Sequence, residues 1–227
     1  MLPWQTVATD HAEDGGELVL ARRGDDWAVR TRGRVLMTNR TGGSEVALAE
    51  LALARLARRR SVMVGGLGLG YTLRAVLDRM PTDGKVVLVE LSAALLEWNR
   101  GPVAHLAGRP LDDPRVRVQR GDVRERIAES RGAYDAILLD VDNGPTALVR
   151  AGNAGLYSDA GVRECLRALA PGGVLAVWSA GHDETYLARL RRLGCDAEAR
   201  SVRPHPGGNR HVIFLASARP TRARGRG

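Results

Sequence analysis

Cysteine, lysine and aromatic residues are all scarce in this chain of 227 residues. The two cysteines, Cys165 and Cys195, are too few to form a metal site by themselves and give no basis for a disulfide framework. No apolar run approaches the length of about 18 residues that a membrane-spanning helix needs. The N-terminus lacks the charged and apolar regions of a secretory signal. We therefore expect a cytoplasmic protein with no membrane partner and no metal.

Lysine is nearly absent, because Lys85 is the only one, so the net charge of +8 comes almost wholly from arginine. Guanidinium groups bind phosphate well, which favours nucleic acid as a partner. However, four arginines stand in the last nine residues, at 219, 222, 224 and 226, and without them the excess is +4. Aromatic residues make up 4% of the chain, too few for the aromatic and basic stripes of an RNA-binding module. We therefore expect no nucleic-acid partner, and the acids at the predicted strand ends favour a small, cationic substrate instead.

The order of the predicted elements indicates an α/β fold. Residues 17–37 alternate like three short strands with turns between them, and a helical pattern follows with Ser44 as its N-cap. From residue 61 strands and helices alternate, which is typical of parallel βαβ units. The sequence predicts a Rossmann-like, doubly wound, seven-stranded sheet at 61–217. A small N-terminal β-meander and helix precede it at 1–60, and a basic tail follows at 218–227.

A glycine-rich turn joins the first strand of the predicted Rossmann-like domain to its first helix. It contains Gly66, Gly68 and Gly70, and Tyr71 stands where the dinucleotide fingerprint requires its third glycine. This spacing disfavours a nicotinamide dinucleotide and favours a nucleoside with a zwitterionic tail. We expect the three glycines to bind an S-adenosyl ligand, with an ordinary strand-to-helix turn as the alternative.

Acidic residues follow three of the predicted strands, at the edge where doubly wound sheets bind ligands. Glu90 is placed to accept hydrogen bonds from both ribose hydroxyls. Asp122 can accept one from an adenine amino group, although it suits a helix N-cap equally well. Asp140 and Asp142 stand two residues apart after an apolar strand, where turn formation is the alternative to a role in chemistry.

At these residues the chain resembles the spermidine synthase-like branch of the class I S-adenosylmethionine-dependent methyltransferase superfamily. The likeness covers roughly residues 35–180. It rests on the order and spacing of the glycine loop running into Leu73-Arg74, Val89-Glu90, Gly121-Asp122, and the segments at 134–140 and 169–174. The resemblance implies that Glu90 binds the ribose, that Asp122 lies near the adenine, and that Asp140 faces the acceptor amine.

The chain departs from this family at two places that bear on its substrate. Aminopropyltransferases carry an aspartate in the glycine loop, where it holds the propylamine of decarboxylated S-adenosylmethionine, and Leu69 occupies that position here. The family's Tyr-His-Glu or Tyr-Gln-Glu segment is replaced by Leu48-Ala49-Glu50. Losing a carboxylate removes a partner for an ammonium group. The sequence therefore favours intact S-adenosylmethionine and methyl transfer to a small amine.

This hypothesis assigns roles to individual residues. Asp140 is expected to orient or deprotonate the nucleophile, with Asp142 assisting it electrostatically. Tyr157, Trp178 and His182 are expected to line the acceptor pocket, with packing or exposure to solvent as the alternative. Three other functions stay open: a polyamine aminopropyltransferase that uses decarboxylated S-adenosylmethionine, an RNA methyltransferase, and a non-catalytic ligand-binding protein. The β-meander and the first helix are candidate surfaces for a homodimer.

Overall fold

The computed structural model describes residues 2–11, 15–141, 145, 155–205, 208 and 210–218. In that part of the chain the strands are β1 (Gln5–His11), β2 (Glu17–Arg23), β3 (Asp26–Thr31), β4 (Arg34–Thr38), β5 (Ser61–Gly65), β6 (Lys85–Glu90), β7 (Val116–Arg120), β8 (Tyr134–Leu139), β9 (Leu169–Ser179), β10 (Cys195–Val202) and β11 (His211–Ala218). The helices are α1 (Gly43–Ala54), α2 (Tyr71–Leu77), α3 (Ala93–Arg100), α4 (Val123–Ala128), α5 (Asp159–Ala168) and α6 (Glu184–Arg192), with 3-10 turns at Ala104–Ala107 and Pro110–Asp112.

The larger sheet has seven strands in the order β10-β11-β9-β8-β5-β6-β7, which confirms the predicted fold class. The five strands from β9 to β7 run parallel, and β11 pairs antiparallel with both β9 and β10. Every residue of β8 is buried, as expected of a central strand that helices cover on both faces. The carboxyl ends of β5, β6, β7 and β8 therefore meet at one edge.

The smaller sheet is an antiparallel meander of four strands in the order β1-β2-β3-β4. Strand β1 (Gln5–His11) was not among the predicted elements. Most of its residues are exposed, so its sequence carries little of the apolar alternation that marks a half-buried strand. Pairing with β2, rather than burial, holds it in place.

Both the first helix and the small sheet pack against the larger domain. Leu48 and Leu53 of α1 share a buried cluster with Val64 of β5. Trp27 of β3 shares another with Leu69 of the glycine loop and with α3. The smaller sheet thus covers the edge where the parallel strands end. The boundary at residue 60 stays a prediction.

Two elements, α3 and β9, have bounds that differ from the predicted ones. The sequence predicts a helix at 92–106 with an interruption near Gly101, and the structure has that interruption, because α3 ends at Arg100 and a 3-10 turn follows at Ala104–Ala107. The sequence predicts the next strand at 174–178, but β9 begins five residues earlier, at Leu169. Among the described residues, no helix is long and apolar enough to cross a membrane. The arginines of the tail, from 219 onward, lie outside the described residues.

Candidate functional site

A cavity of about 520 Å³ lies at the carboxyl ends of the parallel strands. The glycine loop, Glu90, Asp122 and Asp140 form its floor, and side chains of β4 such as Met37 close it from the smaller sheet. This is the crevice in which open α/β sheets bind their ligands. The cavity therefore brings together the main cofactor residues that the sequence predicts.

The glycine loop turns tightly beneath the end of β8. Gly66 has φ +89°, and a Cβ there would lie 2.2 Å from the carbonyl oxygen of Asp140. Gly66 and Gly68 line the cavity. Gly70, with φ +87°, is the N-cap of α2 and is not among the described residues that line the cavity. The buried side chain of Asn99, which the sequence analysis missed, donates a hydrogen bond from Nδ2 to the Gly68 carbonyl at 2.9 Å. The loop is thus held from α3 as well as by its own backbone.

Glu90 is a buried acid whose carboxylate is fixed by two backbone amides. Its Oε2 accepts a hydrogen bond from the Leu67 N–H and its Oε1 accepts one from the Ser92 N–H, both at 2.7 Å. Each carboxylate oxygen has a second lone pair, so the group can still accept hydrogen bonds from a ligand. This arrangement suits a pair of vicinal hydroxyls.

Asp122 is a helix N-cap that also lines the cavity, and its contact with an adenine stays a prediction. Its Oδ1 accepts a hydrogen bond from the Arg124 N–H at 2.8 Å, which makes it the N-cap of α4. The same residue lines the cavity. Capping uses part of the carboxylate only, so the remaining lone pairs are free to meet a ligand donor.

Asp140 follows β8 and lines the cavity. The Thr72 hydroxyl donates a hydrogen bond to its Oδ2 at 2.7 Å. Burial, together with the negative charges of Glu45 and Glu90, raises the pKa of Asp140 to about 7, although the Thr72 hydrogen bond opposes that rise. A carboxyl group with such a pKa can gain or lose a proton near neutral pH.

Glu45 is a fourth cavity acid that the sequence analysis did not identify as a site residue. Burial raises its pKa, and a hydrogen bond of 2.6 Å from the Ser44 hydroxyl to Oε2 opposes the rise. Ser44 is fully buried, and its Oγ also lies 2.9 Å from Nδ1 of His211. Helix α1 begins at Gly43 with Gly42 as its N-cap, so Ser44 does not cap it as predicted.

The segment that replaces the family's Tyr-His-Glu motif is not among the described residues that line the cavity. Leu48 and Ala49 are in the core, and Glu50 forms an exposed ion pair with Arg79. The first turn of α1, not its second, reaches the cavity.

The structure separates the three residues predicted to line the acceptor pocket. Trp178 lines the cavity, and its ring meets that of His211 edge-on at a centroid distance of 4.7 Å. Tyr157 is buried in the core against Tyr186. His182 is largely exposed and contacts Glu184, 3.0 Å away. Neither Tyr157 nor His182 is among the described residues that line the cavity.

Two other predictions concern residues near this edge. Asp142 lies outside the described residues, so its role as a second catalytic acid stays a prediction. No group of three or more histidine, cysteine, aspartate or glutamate side chains is arranged to hold a metal within the described parts of the chain.

Comparison with known proteins identifies relatives of one kind. A family model described as Spermine/spermidine synthase domain matches residues 44–187. The polyamine aminopropyltransferase of Korarchaeum cryptofilum is 31% identical over 134 residues, which cover 59% of this chain and 40% of that protein. The polyamine aminopropyltransferase of Bacillus mycoides is 36% identical over 107 residues, covering 47% and 38%. The chain thus spans about two fifths of the curated relatives it matches.

Solved structures agree on the fold. Spermidine synthase from Thermotoga maritima superposes with a TM-score of 0.74 at 17% identity, covering 94% of this chain and 72% of that one. A spermidine synthase in complex with the transition state analogue AdoDATO gives a TM-score of 0.77 at 19% identity, covering 94% and 73%. The resemblance drawn from the sequence is therefore confirmed.

The expectation of methyl transfer from intact S-adenosylmethionine is wrong. The family match and the named relatives are those of polyamine aminopropyl transfer, one of the three other functions that the sequence left open. The error came from treating Leu69 as the loss of the carboxylate that an ammonium group needs. Glu45 enters the same cavity from α1, so the site has a further anion that was not counted.

Proposed function

The chain belongs to the spermine/spermidine synthase domain family, and on that premise we propose that it transfers an aminopropyl group from decarboxylated S-adenosylmethionine to a small cationic amine. The observation that carries the proposal is the convergence of Glu45, Glu90, Asp122 and Asp140 on one cavity. The donor has a sulfonium and an ammonium group, and a polyamine acceptor is also cationic. An acidic cavity attracts both.

In the proposed reaction the lone pair of the acceptor nitrogen attacks the methylene carbon bonded to the donor's sulfonium. A C–N bond forms and the C–S bond breaks, with its electron pair left on sulfur as a neutral thioether. The nitrogen releases one proton, which Asp140 accepts. Its pKa of about 7 suits a base that works at neutral pH.

The other acids hold the two substrates in line for this attack. Glu90, already oriented by two backbone amides, accepts the ribose hydroxyls, and Asp122 accepts the adenine amino group. Leu69 offers no charge to the donor's ammonium group. In this proposal the negative charge at that end of the cavity comes from Glu45 and Asp140.

Mass spectrometry of reaction products tests the proposal. The full chain is incubated with decarboxylated S-adenosylmethionine and a mixture of butane-1,4-diamine and longer polyamines, and in parallel with intact S-adenosylmethionine. We expect an amine that gains one aminopropyl group only in the first mixture. A methylated amine from the second mixture, or no product from the first, would overturn the proposal.

A further inference from the structure

A chain of hydrogen bonds runs from His211 on β11 to the cavity carboxylate of Glu45 on α1. Nδ1 of His211 lies 2.9 Å from the Ser44 Oγ, and that hydroxyl donates to Glu45 Oε2 at 2.6 Å. Ser44 is fully buried, while His211 and Glu45 both line the cavity. The contact joins residues 167 positions apart in the sequence.

The single proton of the Ser44 hydroxyl fixes the direction of this chain. Because Ser44 gives its proton to Glu45, its oxygen can bond to His211 only by accepting. Nδ1 of His211 must therefore carry a hydrogen and donate it. Burial lowers the pKa of His211, which favours the neutral imidazole, so the opposite nitrogen, Nε2, is then unprotonated.

A proton on Oε2 of Glu45, the oxygen that Ser44 contacts, would reverse both hydrogen bonds. The carboxyl group would then donate to Ser44, and Ser44 would donate to Nδ1, which must be an acceptor in that state. The tautomer of His211 thus reports whether Oε2 of Glu45 carries a proton. Trp178 packs edge-on against the His211 ring at 4.7 Å and limits its freedom to turn away.

We propose that His211 is a positioning residue, which acts through Ser44 to keep Glu45 ionised and oriented toward the cationic substrates. The kinetic consequence of this inference rests on the proposed function, whereas the tautomer of His211 does not depend on it. Charged or titratable groups face Glu45 from the elements packed around it: Asp140 after β8, Tyr71 on α2 and His211 on β11. Of these, His211 is linked to Glu45 by a continuous chain of hydrogen bonds.

Nitrogen-15 NMR of labelled histidine tests the tautomer without turnover. The chain has five histidines, and the spectrum of His211→Leu assigns the signal. At pH 8 we expect the hydrogen of His211 on Nδ1. In Ser44→Ala the acceptor is gone, so we expect the hydrogen to move to Nε2. An Nε2–H form in the unaltered protein, or no change in Ser44→Ala, would refute the inference.

Steady-state kinetics tests the consequence for the substrates. His211→Leu removes the donor, whereas His211→Asn keeps an N–H near the position of Nδ1. We expect His211→Leu and Ser44→Ala to raise the KM for the amine by about 10-fold, the scale of one hydrogen bond to a charged group. His211→Asn should restore KM to within about threefold of the original value.

Ser130→Ala serves as the matched control, because Ser130 is also a buried serine but bonds to Arg126 and Tyr134, and it does not line the cavity. We expect its KM to be unchanged. Equal KM values in His211→Leu and His211→Asn would overturn the positioning role. If no form of the protein makes an aminopropylated product, the proposed function fails while the NMR result still decides the tautomer.

Discussion

At Asp140 the stability of the fold and the proposed chemistry require different protonation states. Its pKa of about 7 in the folded chain exceeds the usual value for aspartate, because burial and two neighbouring carboxylates disfavour its charge. A raised pKa in the folded state stabilises the protein fully at low pH. That contribution is lost as the pH rises from about 4 to about 7.

Replacing Asp140 by asparagine should therefore stabilise the protein and inactivate it. Asparagine can still accept the Thr72 hydrogen bond but carries no charge. At pH 8 we expect the free energy of unfolding to rise by roughly 2–4 kcal/mol, and at pH 4 to change little. The rate of transfer should fall about 10²–10⁴-fold. Urea unfolding at several pH values measures the first effect, and a variant less stable than the original at pH 8 would contradict it.

Glu90 offers a prediction about the donor alone. In Glu90→Gln one oxygen becomes an amide NH₂, which opposes one of the two backbone N–H groups and can no longer accept from a ribose hydroxyl. We expect the Kd for 5′-methylthioadenosine, the thioether product, to rise about 10–100-fold. Calorimetry measures this Kd, with Glu129→Gln as the control, since Glu129 is exposed and forms an ion pair with Arg126 on the surface. A Kd within threefold of the original would exclude the ribose role.

At the scale of elements, the turn between β5 and α2 depends on a close backbone crossing. In Gly66→Ala the new methyl group would lie 2.2 Å from the Asp140 carbonyl oxygen, and φ is +89°. Gly172→Ala is the matched control, because Gly172 has φ +78° with open space around it. The control should cost about 1–2 kcal/mol from backbone strain alone.

We expect Gly66→Ala to lower the free energy of unfolding at least about twice as much as Gly172→Ala does, since the chain at the end of β8 must move as well. Binding of 5′-methylthioadenosine should also be lost, whereas Gly172→Ala keeps it. Equal losses of unfolding free energy in the two variants would show that the contact with Asp140 is unimportant.

The elements also explain which parts of the site the sequence could predict. Glu90 is the last residue of a strand, and Asp122 and Asp140 follow the ends of two others. The ends of parallel strands meet at one edge, so pattern and topology suffice to bring the three acids together. Glu45 is different, because a serine followed by an acid at a helix start is typical of capping and of the helix dipole. The proposed link between Glu45 and His211 runs through Ser44, and only the packing of β11 against α1 brings His211 near that serine.

At the scale of the whole molecule, arginine on the outside surrounds an acidic cavity. The chain carries a net charge of +8, yet among the described residues the ionisable side chains that line the cavity are four acids, Tyr71 and His211. The surface therefore repels a polyamine at a distance while the cavity attracts it at close range. Salt screens the interactions between exposed charges beyond about 8–10 Å. It screens partly buried charge pairs much less.

The opposite charges of the surface and the cavity predict that the affinity for the amine depends weakly on salt, whereas any affinity for nucleic acid depends on it steeply. Between 50 and 300 mM NaCl we expect the Kd for butane-1,4-diamine, measured by calorimetry with 5′-methylthioadenosine bound, to change less than about threefold. Any binding of a single-stranded RNA should weaken with a log–log slope of about −0.7 for each phosphate neutralised. The contrast separates a site built for a small cation from a surface that merely attracts phosphate. Diamine binding that weakened as steeply as RNA binding would mean that the amine is held by long-range charge, not by Glu45 and Asp140.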